Sequence, residues 1–177
     1  IQLGAADAAG ILGLTDAELD RVTTTSLQIG SATSGAITVV ADLSRPTATN
    51  VRLTSGGDIT FAGGAVNTAG GSLTLDTPTA FQPNRAGVDV SVSALALNGA
   101  LAIAINGLTV DTQYQQLNVS GPVNLTGVAL SLSGGHTPLA GQVFTLVAND
   151  GTDAIVGTFA GLPEGAVVNL TAEDRSG

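Results

Sequence analysis

The chain has 177 residues, a formal net charge of −9, 24 glycines, no cysteine, and only 11% charged and 3% aromatic residues, against about 25% charged in ordinary domains. Its five cations are all arginine, Arg21, Arg45, Arg52, Arg85 and Arg175, too sparse to displace counterions from phosphates, so nucleic acid is not expected as a partner. Absence of cysteine excludes disulfides, and absence of lysine excludes Schiff bases and Walker-type phosphate loops.

The first element is "LGLTDAELDRV". Thr15 followed by Glu18 forms a capping box, and Asp16, Glu18 and Asp20 place negative charge near a helix N-terminus. This predicts one or two helical turns over residues 16–22, with Leu19 and Val22 inward, lying across the end or side of the first strands. Residues 1–25 form an N-terminal segment around this helix.

From Ser26 onward, apolar and polar residues alternate with a period of two, which predicts strands. The bursts are 26–29, 37–39, 51–53, 59–61, 73–75 and 88–92, then 117–119, 123–125, 128–132, 144–146 and 167–170. Between 94 and 107, "ALALNGALAIAING" reads as two strands around Asn98-Gly99. Leu95, Leu97, Leu101, Ile103 and Ile105 occupy one face, and Ala96, Ala102 and Ala104 stand where a soluble strand normally shows polar side chains.

Strands start roughly every 8 to 14 residues, separated by Gly-Gly, Ser-Gly, Asn-Gly or Gly-Pro turn signals. That spacing fits an all-β domain, either a Greek-key β-sandwich or a β-solenoid. The strands are very short and glycine recurs beside them, which favours the solenoid, because a stacked coil pairs with the coil above and the coil below. At about 22 to 25 residues per coil and a ~4.8 Å rise, seven or eight coils would span roughly 35 to 40 Å. The chain is expected to be one domain, with coils over 26–110 and further coils over 111–177.

Two stretches carry a resemblance. Residues 12–44, "LGLTDAELDRVTTTSLQIGSATSGAITVVADLS", resemble a recurring unit of large secreted bacterial proteins of the filamentous-haemagglutinin and autotransporter-adhesin kind. Residues 114–170, "YQQLNVSGPVNLTGVALSLSGGHTPLAGQVFTLVANDGTDAIVGTFAGLPEGAVVNL", resemble the end of an autotransporter passenger repeat region. This second match is the more specific, because several dissimilar turns and strands occur in order. The resemblance implies a right-handed parallel β-helix, an extracellular or cell-surface location, and an adhesive or structural role. Where the family usually continues into another strand pair and often a membrane barrel, this chain reads "TAEDRSG", so self-secretion is not expected of it.

Reactive constellations are scarce. The single histidine, His136, sits in "SGGHTP", a turn signal with no elbow-like serine nearby. Asp58, Asp76, Asp89 and Asp111 are candidates for carbohydrate-cleaving acids, which would have to lie about 5 to 9 Å apart. Tyr114 and scattered arginines are all that could line a sugar groove, so solvated aspartates that keep the surface soluble are the simpler reading. Asp150 and Asp153 in "NDGTD" have oxygens suited to calcium but lack the other acidic positions of known loops, and a tight Asp-Gly turn between Val147 and Ile155 is the simpler explanation of the same residues. Asn118, Asn124 and Asn169 begin N-x-[ST] patterns of little weight in a bacterial chain. No enzyme activity and no cofactor are expected.

Mean hydropathy is +0.39, yet polar residues interrupt every apolar run before the ~20 residues of a spanning helix. No membrane insertion is expected. With no initiating methionine and no leader-like start, the sequence reads as a mature or excised segment. The alanines of 96, 102 and 104 predict a small, flat, weakly hydrated outer face, and such patches commonly mark contacts, either with another molecule or with another part of the same chain such as the segment around Tyr114. Partners are therefore expected to be copies of the chain itself, assembling into a fibre or layer, with host or matrix glycans or proteins as further partners. A carbohydrate-binding or polysaccharide-processing β-helix module is the alternative.

Overall fold

The computed structural model describes residues 1–83, 89–150, 152–168 and 170. In chain order the elements are β1 (Gln2–Leu3), β2 (Gly13–Leu14), α1 (Asp16–Asp20), β3 (Ser26–Gly30), β4 (Ile37–Val39), β5 (Leu43–Ser44), β6 (Asn50–Thr54), β7 (Ile59–Phe61) and β8 (Val66–Asn67). They continue with β9 (Ser72–Pro83), β10 (Val90–Ser91), β11 (Ala94–Ala104), β12 (Leu117–Val119), β13 (Val123–Asn124), β14 (Ala129–Ser133), β15 (Val147–Asn149) and β16 (Ile155–Val156). The protein is all-β, built of parallel sheets.

The strands fall into three ladders. In the first, β3 pairs with β6, then come the leading half of β9, the leading half of β11, β13 and β16. The second runs β2, β1, β4, β7, the trailing halves of β9 and β11, and β14. These two form one 11-stranded sheet because β9 and β11 pass from one ladder into the other. The third is a separate 5-stranded sheet of β5, β8, β10, β12 and β15. Every ladder is parallel, whereas a Greek-key sandwich is antiparallel. Antiparallel contacts among the described residues are isolated bridges, Ala8 with Ile11 and Ile105 with Tyr114.

Pairing is long-range and nearly periodic. Leu27 pairs with Val51, Val51 with Leu73 and Leu73 with Leu95, offsets of 24, 22 and 22 residues. Past β11 the offset grows to 28 for Leu95 with Val123 and 32 for Val123 with Ile155. The expected repeat length of 22 to 25 residues therefore holds only as far as β11; the first ladder has six strands, spanning roughly 25 Å at the ~4.8 Å strand spacing, and the second has seven. Longer connections, at residues 106–116 and 134–146, consume the difference.

The alternation seen in the sequence places one apolar set inward. Ile37, Ile59, Phe81 and Leu101 stack in register, each completely or almost completely buried. Leu43, Val66 and Val90 do the same in the other sheet, and both sheets share one core. Phe61 and Phe81 meet edge to face with centroids 5.0 Å apart. Most of the remaining core is aliphatic, because the space between closely spaced strands is narrow, with Tyr114 the other buried aromatic.

Some expected elements differ. "ALALNGALAIAING" is not two strands but the single strand β11, whose register shifts between Asn98 and Ala100. Opposite that point β9 carries extra residues, so Asn98 faces Asp76 while Ala100 faces Ala80. Gly99 takes up the irregularity at φ +146°, and a Cβ there would lie 2.6 Å from the Thr77 carbonyl oxygen. Residues 144–146 are not a strand; β15 begins only at Val147, after Phe144 has turned to stack on Tyr114. Val167 and Val168 are irregular and exposed. Val88, Arg85, Gly151, Asn169 and Arg175 lie outside the described residues.

Helix α1 ends at Asp20, two residues earlier than expected. Its capping box forms: the Glu18 amide donates to Thr15 Oγ1 (3.3 Å) and the Thr15 amide to Glu18 Oε2 (2.9 Å). Leu19 is buried, but Val22 is 43% exposed, contrary to the expected inward pair. The Arg45 guanidinium explains this, since it gathers the carbonyls of Leu19 and Val22 and turns the Val22 side chain outward.

Candidate functional site

Asp58, Asp76, Asp89 and Asp111 are not gathered into one site. Asp58, before β7, accepts from Thr79 Oγ1 (2.5 Å), the Ala80 amide (3.2 Å) and Gln82 Nε2 (3.0 Å), all on β9. Asp76 pairs with Arg52 of β6. Asp89 is fully buried beside the other sheet, where Oδ2 accepts from the Asn118 amide at 2.9 Å. Asp111 lies in the 106–116 connection at φ +64°, its amide donating to the Tyr114 carbonyl.

A shared pattern links the first and third of these with Asp16 of the helix and with residues not singled out in the sequence. Asp16 accepts from the Ser44 amide (2.7 Å), Asp42 from Ala65 (2.8 Å), Asn50 from Ser72 (3.0 Å) and Asn106 from Gly135 (3.0 Å). In each case the short side chain holds the backbone of a segment 22 to 29 residues further on. Buried hydroxyls do the same with carbonyls: Ser55 Oγ donates to Gly35 (3.0 Å) and Thr77 Oγ1 to Gly57 (2.6 Å). Such groups satisfy backbone where the chain leaves a ladder. The sequence hid them because the partner sits one repeat away, not within a local turn.

Asp150 Oδ1 accepts from the amide (3.3 Å) and hydroxyl (3.0 Å) of Thr152, and Asp153 is exposed. Among the described residues no three His, Cys, Asp or Glu side chains come together. His136 follows the bend at Gly134 and Gly135, its Nε2 2.9 Å from Gln142 Oε1 and its ring against Phe144, which packs edge to face on Tyr114. Asn118 is half-buried in β12, and Asn124 Oδ1 accepts from the Thr126 amide. The Glu18 carboxyl is held below its ordinary value by the backbone and side-chain hydrogen bonds of Thr15 and, more weakly, by Arg21.

Two surface features stand out. A recess of about 430 Å³ follows the corner where β6, β9 and β11 turn, lined by Thr54, Asp76, Pro78, Asn98 and Gly99 among others. The alanines form the second. Ala104 is exposed, while Ala96 and Ala102 are half-buried at outward positions. Ala96 belongs to the first ladder and Ala102 and Ala104 to the second, so they do not make one continuous stripe. Ala102 and Ala104 border a recess of about 140 Å³ with Thr112, Gln113 and Gln115.

The ends of the ladders are unlike. At the N-terminal end Leu19 of α1 is buried and lines one small cavity with Leu27, Ile29 and Leu43. At the other, among the described residues, β15 and β16 each pair with one strand, and Ile155 and Val156 of β16 are exposed. Comparisons with protein-family models, with curated proteins and with solved structures find no match to this chain.

Proposed function

We propose that this chain is a non-enzymatic structural or adhesive segment of a secreted or cell-surface bacterial protein, folded as a right-handed parallel β-helix and associating with copies of itself into a fibre or layer. The observation that carries this reading is the use of its polar side chains. Asp16, Asp42, Asp58 and Asn50 tie one layer's corner to the next, which is what a chain does when its product is a stack of layers. The three parallel ladders around one core support the β-helix, with each ladder as a face. Resemblance to filamentous-haemagglutinin and autotransporter passengers supplies the location and the adhesive role.

Lateral contact is assigned to the recess at Ala102 and Ala104, where small side chains permit close approach. Changing both to Asp leaves the fold intact and abolishes side-by-side association, measured by light scattering and negative-stain imaging. Association unchanged in the folded double variant sinks the lateral contact. The corner recess with Asp76 and Asn98 favours a second reading, a carbohydrate-binding module, because it offers polar groups around the ring of Pro78. Retention of the purified chain on immobilised glycans, lost in Asn98→Ala, would establish that reading instead.

A further inference from the structure

Parallel register stacks polar residues on the outside of a ladder as strictly as apolar ones inside it. Thr54 of β6 pairs with Asp76 of β9, and Asp76 with Asn98 of β11, so three polar side chains stand in one row, each a strand spacing of ~4.8 Å from the next. They face outward, because the preceding residues Leu53, Leu75 and Leu97 are buried. The row lines the corner recess of about 430 Å³, to which Ala32 and Pro78 add apolar surface. That volume falls within the range of about 300–1,000 Å³ usual for small-ligand sites.

The chemistry of the row narrows what fits it. Arg52, beside the row on β6, donates through Nε to Thr54 Oγ1 (3.4 Å) and through Nη2 to Asp76 Oδ2. Arg52 keeps Nη1, Asp76 keeps Oδ1, and the exposed Asn98 keeps its carboxamide for a ligand. Arg52 neutralises Asp76, so the recess attracts neither ion strongly, and the chain as a whole, at −9, repels polyanions. An apolar ligand would leave the row's polar atoms without partners. Neighbouring hydroxyls, each both donor and acceptor, satisfy a carboxylate oxygen, a guanidinium N–H and a carboxamide together, while Ala32 and Pro78 suit the C–H face of a sugar ring.

We propose that this corner binds a neutral, linear glycan laid along the stack, so that successive sugars meet Thr54, Asp76 and Asn98 in turn. The advance per sugar of an extended β-linked pyranose chain is close to the spacing between strands, which lets one register serve both. With Asp76 the single carboxylate among its lining residues, and that one paired with Arg52, the recess holds a glycan without the two acids that cleavage needs. The site rests on the adhesive reading above and gives it a ligand class.

The test uses the full chain, isotopically labelled for amide spectra, with β-linked hexaoses of glucose, mannose and N-acetylglucosamine, and hexagalacturonate as the charged control. At millimolar concentration at least one neutral hexaose should shift the amides of residues 52–54, 76, 77, 98 and 99 and leave those of Ala102 and Ala104 unmoved. The matching monosaccharide, which spans one rung, should bind about tenfold more weakly. Asn98→Ala and Arg52→Ala, both at exposed positions, should each weaken hexaose binding about tenfold, with the rest of the amide spectrum unchanged. Absence of shifts with all three neutral hexaoses overturns the proposal, as do shifts centred elsewhere, equal affinity for hexagalacturonate, or full affinity in both variants. Side-by-side assembly separates this site from the broader reading: a chain that assembles but binds no hexaose keeps the structural role and loses the site, and one that does neither loses both.

Discussion

An aspartate at a corner of this protein acts on the layer beyond its own. Asp58 receives three hydrogen bonds from residues 79 to 82, so its removal strands the half-buried Ala80 amide as well as losing the bonds. Asp58→Ala should cost about 1–3 kcal/mol, read as a lower urea midpoint with an unchanged slope; a change within error would show that water replaces the carboxylate there. Glu18 gives a pH signature of opposite origin, since its carboxylate is stabilised by hydrogen bonds in the folded cap. A lowered folded pKa means stability that is fully present above the unfolded carboxylate value of about 4.3. It is lost as pH falls through the folded value. Glu18→Gln should therefore be less stable than the unchanged chain at neutral pH, and the two melting curves should converge on acidification; parallel curves at every pH would exclude the cap as the cause.

At the scale of elements, the layers are packed at backbone distance in places where no side chain fits. A Cβ on Gly71 would sit 2.0 Å from the Thr49 carbonyl oxygen, so Gly71→Ala should force β6 and β9 apart at their shared start and lower stability markedly. Phe81 is the counterpart inside. It is 1% exposed and meets Phe61 edge to face, and Phe81→Ala should cost about 3–5 kcal/mol through the cavity it leaves. Denaturation of that variant with a loss under 1 kcal/mol would mean that the core collapses around the gap. Arg52 and Asp76, by contrast, form an ion pair on the surface; Arg52→Ala should change stability by no more than about 1 kcal/mol.

Across the whole molecule, stability should grade along the ladders. Leu73, Leu75, Leu95 and Leu101 are fully or almost fully buried, whereas Ile155 in the last strand of the first ladder is 43% exposed. Local opening follows burial, so amide exchange should be slowest in β6, β9 and β11 and fastest in β15 and β16. Uniform protection along the first ladder would contradict this and point to a covered C-terminal end.

The period-two alternation was enough to locate Leu95, Leu97, Leu101, Ile103 and Ile105 on an inward face, and all five are buried, because burial on one side of a pleated strand is a local consequence of side-chain order. The capping box of α1 was equally local and equally legible. Which strand pairs with which was not: Leu73 meets Leu95 and Asp58 meets Ala80 across about twenty residues, and nothing in either segment names its partner. For the same reason Asp58 and Asp89 read as possible acids in the sequence and prove to be ties between layers, and "ALALNGALAIAING" read as two strands until the extra residues of β9 opposite Gly99 showed how one strand could serve two ladders. Local patterning decided what is strand and which side faces inward; only the closing of long-range ladders decided neighbours, corners and ends, because those are set by packing one repeat of chain against the next.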